Sequence, residues 1–133
     1  MLNGIQVLID ILREVINNMK AILINPFDTT IKVTEYTGNY KEIYDLIDCR
    51  SFDCVRIYET QDMYIDDEGL MRNNQMYFTM NDRVYAGKAL LLSHDDDGET
   101  TGTNLDLQMV EDMVEWLPEG HKETPYMEFV AWK

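Results

Sequence analysis

Gly87-Lys88-Ala89-Leu90-Leu91-Leu92 is the stretch on which the fold turns, because four apolar residues follow one another without a polar break. A strand with one wet face alternates apolar and polar residues, whereas an unbroken short apolar run suits a central strand covered on both faces. The chain must therefore supply strands on either side of this run and a layer above and below it. Working outward, Met76-Tyr77-Phe78-Thr79-Met80 is the strand candidate just before it. Cys54-Val55-Arg56-Ile57-Tyr58 and Met63-Tyr64-Ile65 are two more, separated by Glu59-Thr60-Gln61-Asp62 and closed by Asp66-Asp67-Glu68-Gly69.

Nearer the N-terminus, Ala21-Ile22-Leu23-Ile24 ends at Asn25-Pro26, and Thr30-Ile31-Lys32-Val33-Thr34-Glu35-Tyr36 alternates with β-branched residues. The Asn-Pro-Phe-Asp between them is turn chemistry, so the two runs predict a hairpin. Tyr40, Ile43, Tyr44 and Ile47 share one face of a short helix, and a second helix is expected through Leu105 to Leu117, capped by Thr103 or Asn104 and stopped by Pro118. Residues 93–102, with two glycines and four acids, predict an exposed loop, and Pro125 to Trp132 a last edge strand. Ile5, Leu8, Ile9, Leu12, Val15, Ile16 and Met19 repeat at helical spacing, so residues 1–18 are expected to form an amphipathic helix appended to a single domain over 19–133. The fold class that follows is α+β, a mostly antiparallel sheet with two flanking helices and an added N-terminal helix.

Composition narrows the function classes. The 133 residues carry 25 acids and 11 bases, a formal charge of −14. Residues 1–60 hold 9 acids and 6 bases, net −3, against 16 and 5 in residues 61–133, net −11. Such a field opposes a direct grip on nucleic-acid backbone, while a 45% hydrophobic content is too high for a disordered acidic chain. No apolar run approaches the ~20 residues that span a bilayer, and no secretory leader is visible, so no membrane partner and a reducing cytoplasm are expected. Cys49 and Cys54 lack the second Cys or His pair of a zinc site.

Candidate chemistry is sparse. With two histidines, two serines and no strand-turn-helix elbow, an acyl-transfer triad is not expected, nor is a P-loop or dinucleotide fingerprint among the seven glycines. Starting at Ser93, residues Asp95, Asp97 and Gly98 fall on three places of a calcium-binding loop, but position twelve is Asn104 rather than a bidentate glutamate and the preceding segment reads as a strand. Neither a catalytic site, a metal nor a cofactor is expected. The methionines read as core filling rather than as an adaptable binding surface. If the acids carry function, the binding residues are Asp95, Asp96, Asp97 and Glu99 together with Asp66, Asp67 and Glu68.

Several short blocks follow one another in a set order and spacing: Tyr40 to Cys49, Tyr64-Ile65-Asp66-Asp67-Glu68-Gly69-Leu70, Tyr77-Phe78, Ala86-Gly87-Lys88-Ala89-Leu90 and Asp96-Asp97-Gly98-Glu99. In these the chain resembles an uncharacterised family of small phage- and prophage-encoded proteins, over roughly residues 19–117. The resemblance implies a phage accessory protein in the host cytoplasm and brings no activity with it. In that setting the charge favours a non-enzymatic factor that binds and inhibits a basic host protein, a defence or nucleic-acid-handling complex, by mimicking nucleic acid. A sponge for a small signalling nucleotide is the alternative, which needs converging cations such as Arg50, Arg56, Arg72 and Arg83; a small hydrolase is the third. The N-terminal helix is the element that would make a homo-oligomer.

Overall fold

The computed structural model describes residues 4–8 and 18–123. Its elements follow one another as strands β1 (Met19–Asn25) and β2 (Thr30–Tyr36), helix α1 (Lys41–Leu46), strands β3 (Phe52–Tyr58) and β4 (Gln61–Asp66), a 3-10 turn (Gly69–Met71), strands β5 (Tyr77–Met80), β6 (Arg83–Ala86), β7 (Ala89–His94) and β8 (Thr100–Thr101), helix α2 (Leu107–Met113) and strand β9 (Val114–Trp116). The class is α+β, and every pairing among the described strands is antiparallel.

β7 lies in the middle of the larger sheet, whose order is β2-β1-β7-β4-β3, with β8 also paired to β7. Leu91 is hydrogen-bonded into register with Ile22 on one side and Met63 on the other, and Leu90 with Leu23 and Tyr64. The strand is buried from Ala89 to Ser93. Successive side chains point to opposite faces, so Ala89 and Leu91 enter one core with Ile22, Ile24, Met63, Phe78, Met80 and Val110, while Leu90 and Leu92 enter a second with Ala21, Tyr36, Ile43 and Ile47. α1 covers the second face through Ile43 and Ile47.

A separate three-stranded sheet, β6-β5-β9, covers the first face together with α2. Here the structure departs from the sequence reading. The helix expected to run to Leu117 stops at Met113, because Val114 to Trp116 pair instead with β5, setting Val114 against Met80 and Trp116 against Phe78. A β-branched and an aromatic residue gain more from that half-buried ladder than from another helical turn. The helix is capped by Asp106, whose side chain accepts the Met109 N–H at 2.8 Å, rather than by Thr103 or Asn104.

β6 was not foreseen, although its turn carries a signal: Asn81 and Asp82 both sit at positive φ, 52° and 62°, the backbone of a tight hairpin that asparagine and aspartate tolerate. Residues 93–102 likewise are not loop throughout. Ser93 and His94 pair with Thr101 and Thr100, so only the five residues between the strands turn. The N-terminal helix is seen as helical residues 4–8, with the rest of it outside the described residues, as is the strand expected over Pro125 to Trp132.

The crossing from β8 to α2 lies tight against β1. The Thr103 N–H donates to the Lys20 carbonyl at 2.8 Å, and a Cβ on Gly102 would come within 2.9 Å of the Lys20 nitrogen. Nearby, Gln61, Thr103 and Ser93 are buried, with Thr103 donating to Gln61 at 2.6 Å and Gln61 to Asn104 at 2.8 Å and Ser93 at 3.3 Å. These bonds satisfy polar groups that would otherwise each cost about 1–3 kcal/mol in the core.

Two substitutions test this construction by urea unfolding. Leu91→Ala, at a side chain with no exposed surface, is expected to cost about 2–5 kcal/mol. Gly102→Ala, where backbone cannot yield as a flexible side chain would, is expected to cost about 1–3 kcal/mol, whereas Gly98→Ala, with open space around it, carries only the strain of its φ of +83°.

Candidate functional site

The two acidic groups singled out from the sequence end in different electrostatic states. The first is the tip of the β7–β8 hairpin. Its backbone closes through the Asp95 N–H to the Glu99 carbonyl at 2.9 Å and the Gly98 N–H to the Asp95 carbonyl at 3.0 Å. The Asp95 carboxylate turns inward and accepts the N–H groups of Asp97 at 3.0 Å and Glu99 at 2.9 Å. Asp95 is thus the residue that shapes the turn. Asp96, Asp97 and Glu99 are exposed, and none pairs with a cation among the described residues.

The second group, Asp66, Asp67 and Glu68, follows β4 and brings three carboxylates within 4.8 Å of one another. Each is already engaged. Asp66, whose side chain is 4% exposed, accepts from Arg72 Nε at 2.5 Å and from the Glu68 N–H at 2.9 Å. Glu68 receives both Nε and a terminal nitrogen of Arg50, at 3.0 and 2.6 Å, and this paired bond holds its carboxyl below the usual carboxylate range. Asp67 accepts the Ser51 hydroxyl at 2.5 Å. A cation entering here would have to displace two guanidinium groups, so the group works as a clasp between the β3 approach and the end of β4. The structure therefore separates the seven residues: at the hairpin tip Asp96, Asp97 and Glu99 present charge outward around the turn that Asp95 shapes, and the three at the clasp are occupied internally.

At the base of the hairpin stands an arrangement the sequence did not reveal. His94 Nδ1 lies 2.6 Å from the Asp62 carboxylate, and an Arg56 terminal nitrogen lies 3.5 Å from His94 Nε2. Asp62 and His94 are 32 residues apart, on adjacent strands, and share a face only because β4 and β7 pair in this register. No spacing signal marks such a pair in advance.

Neither thiol is poised as a nucleophile. Burial, then the negative charge of Asp66, pushes Cys49 up to about 11, and burial followed by the charge of Asp62 raises Cys54. Tyr64, hydrogen-bonded to Cys54, is pushed up to about 12, again chiefly by burial. These groups are neutral at physiological pH, and the folded state holds their protons more tightly than the unfolded chain does. Stability from this source is full below the ordinary thiol and phenol pKa values and declines as pH rises through the folded ones. Alkylation by iodoacetamide at pH 8 is expected to modify Cys49 in the native protein about 100-fold more slowly than a free thiol, in keeping with its smaller thiolate fraction. Equal rates in native and urea-unfolded protein would overturn the assignment.

No curated protein and no solved structure matches this chain. A family model does, across residues 19–115, which takes in every element from β1 to α2 and the start of β9. The chain belongs to the family described as Domain of unknown function (DUF3846).

Proposed function

We propose that this protein is a non-catalytic binding protein of phage origin that acts in the host cytoplasm by setting its acidic β7–β8 hairpin against a basic surface of a host defence or nucleic-acid-handling protein. The observation that carries this reading is the contrast between the two acidic groups. Carboxylates at the hairpin tip are held in a fixed turn and left without cations among the described residues, whereas those of the clasp are consumed by Arg50, Arg72 and Ser51. An unpaired, preorganised set of carboxylates loses little entropy when it meets lysine and arginine, and it releases the counterions that nucleic acid would release from the same surface. The overall charge of −14 adds long-range steering toward such a partner. No described helix is long and apolar enough to cross a membrane.

Self-association through the N-terminal segment belongs to the same proposal. Within helical residues 4–8, Ile5 and Leu8 are 72% and 57% exposed, so an apolar surface lies open for a second copy. A chain beginning at Met19 is expected to remain folded and to run as a monomer in gel filtration; loss of the folded state would place the segment in the core instead.

Partner capture from host lysate on the immobilised full chain, eluted by a salt gradient, tests the main reading. A captured basic protein is expected to elute at moderate salt, with affinity falling steeply as ionic strength rises. Changing Asp95, Asp96 and Asp97 together to Asn and Glu99 to Gln keeps the acceptor at position 95 and removes the charge. That variant is expected to bind about tenfold or more weakly, from four exposed charges at a few tenths of a kcal/mol each. Asp67→Asn, at the clasp, is expected to leave binding unchanged. A flat salt response, or equal loss from both variants, would sink the proposal.

A further inference from the structure

At the end of the large sheet opposite the hairpin tip, five separate segments meet around a cleft of about 420 Å³, within the size range of small-molecule sites. Phe27 and Asp28 come from the β1–β2 turn, Asp48 from the end of α1, Asp66 from the end of β4, Arg72 from the following loop and Lys88 from the approach to β7. The wall is fastened. The Gly87 N–H donates to the Met76 carbonyl at 2.8 Å, and the Gln75 amide donates to the Gly69 carbonyl at 3.0 Å while accepting the Met76 N–H at 3.2 Å.

Arg72 is the best-oriented group in the cleft. The buried Asp66 holds its Nε, and its two terminal nitrogens have no partner among the described residues, although the side chain is 41% exposed. A guanidinium fixed by a buried carboxylate on one edge presents the other edge as a planar fork for an oxyanion. Lys88 is paired with Asp48, whose side chain is 67% exposed, so water can take over that carboxylate when a ligand claims the ammonium. Phe27 offers a ring that is 51% exposed, on a turn pinned by its own N–H to the Asn25 side chain at 3.0 Å. The charged side chains lining the cleft are three carboxylates and two cations, which penalises a doubly charged ligand against a singly charged one.

We propose that this cleft binds a singly charged oxyanion attached to a flat ring, the oxyanion resting between the terminal nitrogens of Arg72 and the Lys88 ammonium and the ring stacking on Phe27. Two sources offer that chemistry: a cyclic phosphodiester nucleotide and an aromatic carboxylate. The site is independent of the acidic tip, and either can fail without the other.

The test is isothermal titration of the full chain with 3′,5′-cyclic AMP, AMP and indole-3-acetate. Binding of cyclic AMP or indole-3-acetate, tighter than that of AMP, is expected, and whichever of the two binds identifies the source. Phe27→Ala is expected to weaken it about tenfold, the fold-change of a lost ring stack, and Lys88→Gln to weaken it as well. Phe27 is half exposed, so the unliganded melting curve of Phe27→Ala should stay where it is. Arg72→Lys keeps the charge, loses the fork and should also bind more weakly. No heat from cyclic AMP or indole-3-acetate at millimolar concentration, AMP binding better than both, or binding indifferent to Phe27→Ala and Lys88→Gln would each overturn the proposal.

Discussion

The burial of β7 on both faces is the constraint on which the rest of the structure depends. A strand that exposes neither face to water needs its backbone groups paired on both edges and its side chains covered above and below. β1 and β4 provide the first, and two unlike covers provide the second: α1 on one side, the small sheet with α2 on the other. The covers are built from distant parts of the chain. α1 precedes β3, whereas β5 and β6 come between β4 and β7, and β9 is the last of the described elements. Neither core closes until most of the chain is in place, which is the arrangement expected to unfold as one cooperative unit.

That central strand also organises the polar chemistry at its two ends. Where β7 leaves the sheet, its last residues pair with β8, and the buried Gln61, Ser93 and Thr103 fasten the hairpin base to β4 and to the crossing before α2. The acidic tip thus projects from a fixed base. Where β7 enters, Gly87 and Lys88 face the ends of β1, β4 and α1, and the cleft of Phe27 and Arg72 opens between them. Charge is distributed accordingly: cations are spent at the clasp and the cleft, and carboxylates are left over at the tip. A chain with 25 acids and 11 bases must leave most of its acids without a basic partner, and the fold determines which ones.

Local periodicity made much of the architecture legible. The hairpin of β1 and β2, the short helix with Ile43 and Ile47 on its inner face, and strands β3, β4, β5 and β7 all follow from alternation, turn residues and the apolar run at Ala89 to Leu92, because those signals reflect how each segment meets the core. The end of α2 was not legible. Val114 to Trp116 sit within a pattern that suits a helix, and only the proximity of β5 turns them into a strand. The chemistry was less legible still. Asp66 and Asp95 both stand in acidic runs followed closely by a glycine, yet one is buried against Arg72 and the other shapes an exposed turn.

By itself, then, the sequence determined the class, the central strand, the acidic balance and the seven carboxylates worth weighing, since composition and short-range pattern are properties of consecutive residues. Only the tertiary structure decided which of those carboxylates are neutralised, that His94 lies against Asp62, and that Phe27, Arg72 and Lys88 share a cleft. Those facts depend on strand order and register, which bring together residues tens of positions apart, and a one-residue slip in register would send each of those strand side chains to the opposite face.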